Sequence, residues 1–392
     1  MRRIYLDNNA TTRVAPEVLQ AMLPCYDGTY GNASSVHSFG QEAKGLLDKA
    51  RQQVARLLNS EPNEIVFTSG GTESDNLAIR GLMEAMPDSN KHIITTQIEH
   101  HAVLHTCQAL QKTGIKVTYL RVDGEGKVDP SDVEKAITPA TLLISVMHSN
   151  NEIGTIQPIR EIGEIARKHD IYFHTEAVQA GGKVSLNVEE LAVDLLSIAG
   201  HKFHAPKGVG ALFIRKGTRI RPLFFGGAHE RNRRAGTENV PQIVGLGAAA
   251  ALAMDGMEER MKSIEELRTA LESEIFKRIP LIHLNGSRDD RIPNTSNIRF
   301  EGVESEGLVI NLDLAGVACS TGSACASGAI EPSHVLLALG LPPEQAFGSI
   351  RFSLSRYTTR DEVDGVLSLL PSTVERLREM SPGYSKPLTV TS

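Results

Sequence analysis

Between Glu64 and Arg215, short runs of β-branched and apolar residues alternate with stretches of helical spacing. The runs are Glu64–Thr68 (EIVFT), His92–Thr96 (HIITT), KVTYLRV from Lys116, Thr141–Met147 (TLLISVM), Ile171–Thr175 (IYFHT), Asp194–Gly200 (DLLSIAG) and Gly210–Arg215 (GALFIR). They are apolar on both faces, as a sheet covered on both sides requires. This alternation predicts an α/β fold with a mostly parallel sheet and helices on each face. GALFIR follows its predecessor closely enough to return alongside it. Asp129 and Ser131 are both candidate N-caps for the segment DPSDVEKAI.

The flanks read differently. QEAKGLLDKARQQVARLL sets Leu47, Ala50, Val54 and Leu57 on one helical face. The segment from Val240 to Ile279 reads as one long helix, in which Ala- and Gly-rich packing gives way to charged turns near Met257–Lys262. That shift predicts a boundary. A large α/β domain is expected over 15–257, and a smaller α+β domain over 1–14 with 258–392. The end, SPGYSKPLTVTS, reads as weakly ordered.

With 392 residues, 41% of them hydrophobic, the chain can bury more than one core. A net charge of -6 offers no basic field for nucleic acid or an anionic membrane. The opening MRRIYLDNNATT has no apolar run behind its arginines, and no stretch is long and apolar enough to span a bilayer. A cytoplasmic location is expected, with the four cysteines as free thiols. No CxxC pair or His/Cys spacing predicts a metal site.

The residues suited to chemistry cluster after the strands, where open α/β sheets bind ligands. SGGTES (Ser69–Ser74) opens a helix. It reads either as an anion cup or as a tight turn capped by Thr72. After HIITT come Glu99, His100 and His101; a histidine there is either a ring platform and proton carrier or a hydrogen-bonded loop residue. Asn150, Asn151 and Gln157 follow TLLISVM. Glu176 ends an apolar strand, where an unpaired carboxylate is costly, so it calls for a cationic partner unless it faces solvent. Lys202 follows DLLSIAG between two histidines, a setting for a desolvated lysine with a lowered pKa. Taken together, a phosphate cup, a flat ring, a buried acid and an amine along one sheet edge are what pyridoxal 5'-phosphate needs.

The same loops resemble a known family. YLDNNATT, YGNASSVHSFG, FTSGGTESDNLAI, EHHAVL, NNEIGTIQPI, AVQAGGK, GHKFHAPKGVGAL, RRAGTENV, GSACASGAIEPSHVL and IRFSLSRYTT are similar, in order and nearly end to end, to motifs of cysteine desulfurases of the NifS/IscS type. These are pyridoxal-phosphate enzymes of fold-type I, within the class V aminotransferase-like group. The resemblance implies conversion of L-cysteine to L-alanine, with the sulfur left on Cys325 as a persulfide. Lys202 would anchor the cofactor and move protons, and His100 would stack on its ring and take part in proton transfer. Gly71, Thr72 and His201 would hold its phosphate, and Asn151, Glu176 and Gln179 would contact the ring, Gln179 at the phenolic oxygen. Thr237 would reach the phosphate of a neighbouring subunit, implying a homodimer with shared sites; alone, HERNRRAGTENV reads as a solvated basic loop. Arg351, assisted by Asn32, would clamp the substrate carboxylate. An iron–sulfur scaffold or another sulfur acceptor is the implied protein partner. No resident metal is implied beyond a transient contact of Cys325 with a cluster.

Three positions depart from the family pattern. Glu176 stands where aspartate is usual, Ala199 where a hydroxyl is frequent, and Ala33 where proline is usual. The first two predict slightly weaker cofactor retention. Selenocysteine lyase or a related β-lyase, and a cofactor-binding assembly partner with reduced activity, are the alternative functions. Small residues surround Cys325, which predicts a mobile loop over Ser323–Ala329 for a sulfur carrier that must visit two places. Cys319, at the end of an apolar run, reads as a packed small hydrophobe, with a Cys319–Cys325 disulfide as the lesser alternative.

Overall fold

The computed structural model describes residues 3–86, 91–322 and 331–381. Cys325, its loop over Ser323–Ala329 and the tail from 382 lie outside the described residues. In chain order the elements begin with β1 (Ile4–Tyr5), α1 (Pro16–Met22), α2 (Pro24–Asp27) and α3 (Ser38–Leu58). The alternating block follows: β2 (Ile65–Thr68), α4 (Gly71–Ala85), β3 (His92–Thr96), α5 (His101–Gln111), β4 (Lys116–Leu120), α6 (Pro130–Lys135), β5 (Thr141–Ser145), α7 (Ile159–Lys168), β6 (Tyr172–Glu176), β7 (Leu195–Ala199) and β8 (Gly210–Ile214). The chain continues through α8 (Val240–Met254), α9 (Met257–Arg278), β9 (Ile282–Leu284), β10 (Thr295–Phe300), α10 (Ser305–Leu314), β11 (Val317–Ala318), α11 (His334–Ala338), α12 (Pro343–Ala346), β12 (Ser349–Ser353) and α13 (Arg360–Met380).

Every β-rich run became a strand of one seven-stranded sheet, in the order β2-β8-β7-β6-β5-β3-β4. β8 pairs antiparallel with β7 and β2, and the other pairings are parallel, so β8 alone runs opposite to the rest. The sheet is covered on both faces. Phe173, Phe213, Val54 and Leu58 fill one side, beneath α3 and α8. Leu77, Leu82, Val103 and Leu143 fill the other, beneath α4 and α5.

Local chemistry sets the helix ends. The α3 N-cap is His37, whose ring accepts from the Gly40 N–H, and Asn59 closes the helix in the left-handed region (φ 52). Leu47, Ala50, Val54 and Leu57 are all buried, as their spacing predicts. Each leucine so buried contributes about 1.5–3 kcal/mol. Gly247 lets α8 approach α3, since a Cβ there would stand 2.5 Å from Ala50 Cα. Asp129 is the N-cap of α6, its carboxylate accepting from Ser131 N–H at 2.8 Å.

The expected single helix over 240–279 is instead α8 and α9, bent by 79°. Gly256 adopts φ 58 as the α9 N-cap, a conformation open to glycine at little cost, and it ends the continuous pattern that side-chain periodicity suggests. A separate apolar core gathers Ile4 and Leu6 with Ile264, Ile298, Phe300, Phe352 and Leu370. β1 joins that region through parallel pairing of Ile4 with Val317. Cys319 is buried there as a free thiol. Among the described residues no single helix is long and apolar enough to cross a membrane.

Candidate active site

The carboxyl ends of β2, β3, β5, β6 and β7 open onto a cleft of about 380 Å³, within the usual size range for small-ligand sites. Its walls include Gly71, Thr72, His100, Asn151, Glu176, Gln179, His201, Lys202 and Arg351. These residues come from distant parts of the chain, and the sheet brings them together.

Lys202 lies in a short turn after β7. Its Nζ donates to the main-chain oxygens of Asn9 (2.5 Å) and Ala10 (2.9 Å). Burial, then the Arg351 charge, brings its pKa down to about 8, against the opposing pull of Glu176 and Asp7. His100 caps α5, its Nδ1 accepting from Ala102 N–H at 3.1 Å. Burial, then Lys202, lowers its pKa to about 4, so the ring is neutral with its proton on Nε2. His201 rests against Thr11 (3.2 Å) and is likewise lowered to about 4 by burial.

At the α4 N-terminus no side chain caps the helix, so its first N–H groups face the cleft end. A Cβ on Gly71 would stand 2.7 Å from Val178 Cγ2, so a larger residue there would have to push that side chain aside. Glu176 is the last residue of β6. Its Oε1 accepts from Val178 N–H at 2.6 Å, and burial raises its pKa to about 7. Asp75 lines the same cleft. It is fully buried, its Oδ1 has no hydrogen-bond partner among the described residues, and burial and Glu176 raise its pKa well above the ordinary range. His174 Nε2 stands 3.7 Å from that oxygen, but burial lowers its pKa to about 3, so this contact joins no cation to the acid.

Arg351 in β12 donates through Nη2 to Asp7 Oδ1 (2.7 Å) and through Nη1 to Asn151 O (2.9 Å). Its Nε–H is buried without a partner among the described residues. Ser320 pairs with Arg351 through two main-chain hydrogen bonds, and Gly322 lines the cleft. At the far side of the undescribed segment, Ser333 Oγ donates to Glu152 Oε2 at 2.5 Å. His334 Nε2 donates to Glu99 O at 3.0 Å, and its ring packs 4.9 Å from His101. Both flanks of residues 323–330 therefore meet the cleft.

Not all candidates converge. Thr237 is exposed on the loop after β8, outside the cleft of its own chain. Asn32 is also exposed, its Oδ1 accepting from Ser34 N–H and Oγ–H. Asn150 and Gln157 hold loops: Asn150 Oδ1 accepts from Glu152 and Ile153 N–H, and Gln157 bonds Val128 N–H and Gly126 O. Sequence reasoning missed Asn9, Asp75 and Glu152 as cleft residues. Asp75 carried a readable signal, because it lies one helical turn beyond Gly71 and so on the same face.

The aminotransferase class-V family model matches residues 4–366. The chain belongs to this family. Its curated relatives include a protein named cysteine desulfurase IscS from Dictyoglomus turgidum, 52% identical over 97% of each chain. Another of the same name, from Methanosarcina thermophila, is 53% identical over 97% of this chain and 94% of its own. Among solved structures, a NifS-like protein superposes with a TM-score of 0.88 at 40% identity, covering 97% of this chain and 99% of its own. SspA in complex with cysteine superposes at 0.80 with 38% identity, covering 91% and 100%.

The cleft of this class-V aminotransferase relative fits an anionic, ring-bearing aldehyde cofactor. The uncapped helix end suits a phosphate, the raised acids at Glu176 and Asp75 suit a ring cation, and Lys202 suits an aldehyde. Arg351, on the cleft wall, brings a guanidinium suited to a substrate carboxylate.

Proposed function

We propose that the chain is a pyridoxal-phosphate-dependent cysteine desulfurase, which converts L-cysteine to L-alanine and passes the sulfur to Cys325. Its main support is one cleft that brings a lysine lowered to about 8 together with the guanidinium of Arg351. The 51–53% identity to proteins named cysteine desulfurase IscS supports the substrate.

When bound, pyridoxal phosphate supplies an electron sink conjugated to the substrate Cα. Glu176, the α4 N-terminus at Gly71 and Thr72, and His201, Asn151 and Gln179 are the residues that would hold and orient it. Lys202 would anchor it and, with a substantial fraction as free amine near neutral pH, would carry the proton at the substrate Cα. His100 provides a flat neutral ring whose Nε2–H takes part in proton transfer. Arg351 binds the substrate carboxylate and fixes its orientation. Asn32 and Thr237, exposed in their own chain, fit roles in the cleft of a second copy. A homodimer with shared sites follows from that reading.

Cys325 attacks the substrate sulfur. The Cβ–S bond breaks, an S–S bond forms on Cys325, and the thiol proton ends on the alanine methyl, so no outside oxidant is needed. A protein thiol acceptor, such as an iron–sulfur scaffold, would then take the persulfide sulfur. A reducing cytoplasm suits this carrier and the free thiols of Cys25, Cys107 and Cys319. The separate apolar cores support domains over 15–257 and over 1–14 with 258–392.

The test is alanine release from L-cysteine with a reductant present. Wild type should form alanine and Cys325→Ala should not. Alanine formation unchanged in Cys325→Ala would favour a simple lyase, and none from the wild type would refute the reading.

A further inference from the structure

Lys183 is a buried amine with no part in the chemistry above; burial, then the charges of Lys202 and Arg351, hold its pKa well below the ordinary lysine range. Its side chain lies behind the cleft wall, against a small separate cavity that Asn8, Gly182, Asn294 and the far side of Lys202 also line. The chain turns it inward at Gly182, whose φ of 71 and crowded position, 2.8 Å from Phe203 Cβ for any added Cβ, favour glycine. The partners of Lys183 Nζ are two amide oxygens, Gln179 Oε1 at 2.8 Å and Asn9 Oδ1 at 3.2 Å. A buried lysine is costly unless its donors are used, and here they are spent on holding two carboxamides.

Those carboxamides have one consistent orientation. The main-chain oxygen of Asn9 can only accept, and it takes Gln179 Nε2 at 3.0 Å and Lys202 Nζ at 2.5 Å. Flipping Gln179 would put its oxygen against that carbonyl and its NH2 group against the lysine amine. Asn9 is fixed in the same way. Its Oδ1 also accepts from Asn294 Nδ2 (3.1 Å), and its Nδ2 donates to Thr295 Oγ1 (2.8 Å) and Asn151 O (3.2 Å). Gln179 Nε2 therefore shares an acceptor with Lys202 on the cleft side, while Oε1 is turned toward Lys183. One N–H of that amide remains to be given to a ligand.

We propose that Lys183 is a positioning residue that locks the Gln179 carboxamide with its NH2 group toward the cleft, so that the site selects a ligand carrying an anionic ring oxygen. The inference rests on the cofactor reading above, in which that oxygen is the ionised phenolic oxygen of pyridoxal phosphate. Without Lys183, only the Asn9 main-chain oxygen still holds the amide, so its oxygen loses its donor and the NH2 group is less firmly kept toward the cleft.

The test compares the affinity of the cofactor-free protein for pyridoxal 5'-phosphate and for 3-deoxypyridoxal 5'-phosphate, which lacks the phenolic oxygen. Lys183→Met keeps the apolar stem and removes the donors. It should weaken the natural cofactor by about tenfold or more, the scale of one hydrogen bond to a charged group, and leave the deoxy analogue within about threefold. Lys183→Arg, which keeps the donors, should retain the preference. Equal losses for both compounds in Lys183→Met would mean a merely structural role and overturn the proposal, as would no loss for either. If Lys183→Met does not fold, Gln179→Glu serves instead: it removes the amide donor and should lose the same preference, and a retained preference overturns the proposal. Wild-type protein that takes up neither compound would overturn the cofactor reading, and this inference with it.

Discussion

Titrating the cofactor-free protein should reveal Lys202 as an unusually reactive lysine near neutral pH. Burial and the Arg351 charge lower its pKa from 10.5 to about 8. At about pH 7.5 roughly a quarter of Lys202 is then free amine, against roughly one in a thousand for an unshifted lysine, a difference of about 200-fold. Arg351 is the largest charge acting downward, and Asp7, which Arg351 Nη2 holds at 2.7 Å, acts upward. Arg351→Leu therefore removes the lowering charge and leaves the Asp7 carboxylate uncompensated. The Lys202 pKa must rise, with about a tenfold loss of free amine per unit at neutral pH. Competitive labelling with trace acetic anhydride from about pH 6 to about pH 11, followed by mass spectrometry of the Lys202 peptide, measures both midpoints. A wild-type midpoint near 10.5, or one that Arg351→Leu leaves unmoved, would refute the electrostatic argument.

The Arg51–Glu230 pair holds the loop that leads to Thr237. Its two bonds of 2.7 and 2.8 Å are buried, with a third from Arg51 to Ile65 O. Arg51→Ala leaves the Glu230 carboxylate stranded and should cost about 3–5 kcal/mol in a denaturant melt; a loss under about 1 kcal/mol would contradict this. Glu99 is buried, with Oε2 unpartnered and a pKa raised to about 8. Its folded pKa exceeds its unfolded value, so its contribution to stability is lost as pH rises from about 4.3 through about 8. Glu99→Gln should flatten that part of the stability–pH curve, and a curve of unchanged slope would exclude Glu99 as its source. Ala199 Cβ lies 3.6 Å from where a Gly71 Cβ would stand, beside the anion cup. Ala199→Ser and Glu176→Asp should each tighten pyridoxal phosphate binding, the first by about tenfold, equivalent to one hydrogen bond; no gain from either, by spectroscopic titration, would count against the expected weak retention.

The sheet was legible because its strands are short β-branched runs bounded by turn residues, and because ligand sites in such sheets gather at strand ends. Lys202, Glu176 and the segments SGGTES and EHH stood out by position, whereas the choice of Gly71 and His100 within them came from the family resemblance. The break at Gly256 was not legible, since one glycine in an Ala-rich pattern reads equally as helix interior. Asn9 and Lys183 were missed because their meaning lies in contacts across 170 or more residues: Asn9 meets Gln179, Lys183 and Asn294 only after the chain has folded. Asp75 was missed because a helix that reads as amphipathic hides which polar residue turns inward. The strand read over Ile171–Thr175 runs Tyr172–Glu176, so Glu176 ends β6 as expected and is buried there rather than facing solvent.

The central claim is sulfur transfer to Cys325, and intact-protein and peptide mass spectrometry after brief exposure to L-cysteine tests it most directly. The account predicts one added sulfur on the Cys325 peptide, matched by alanine in equal amount. Cys319, buried with its pKa raised to about 12, should stay unmodified. Alanine without sulfur on Cys325, or the added sulfur found on Cys319, would contradict it.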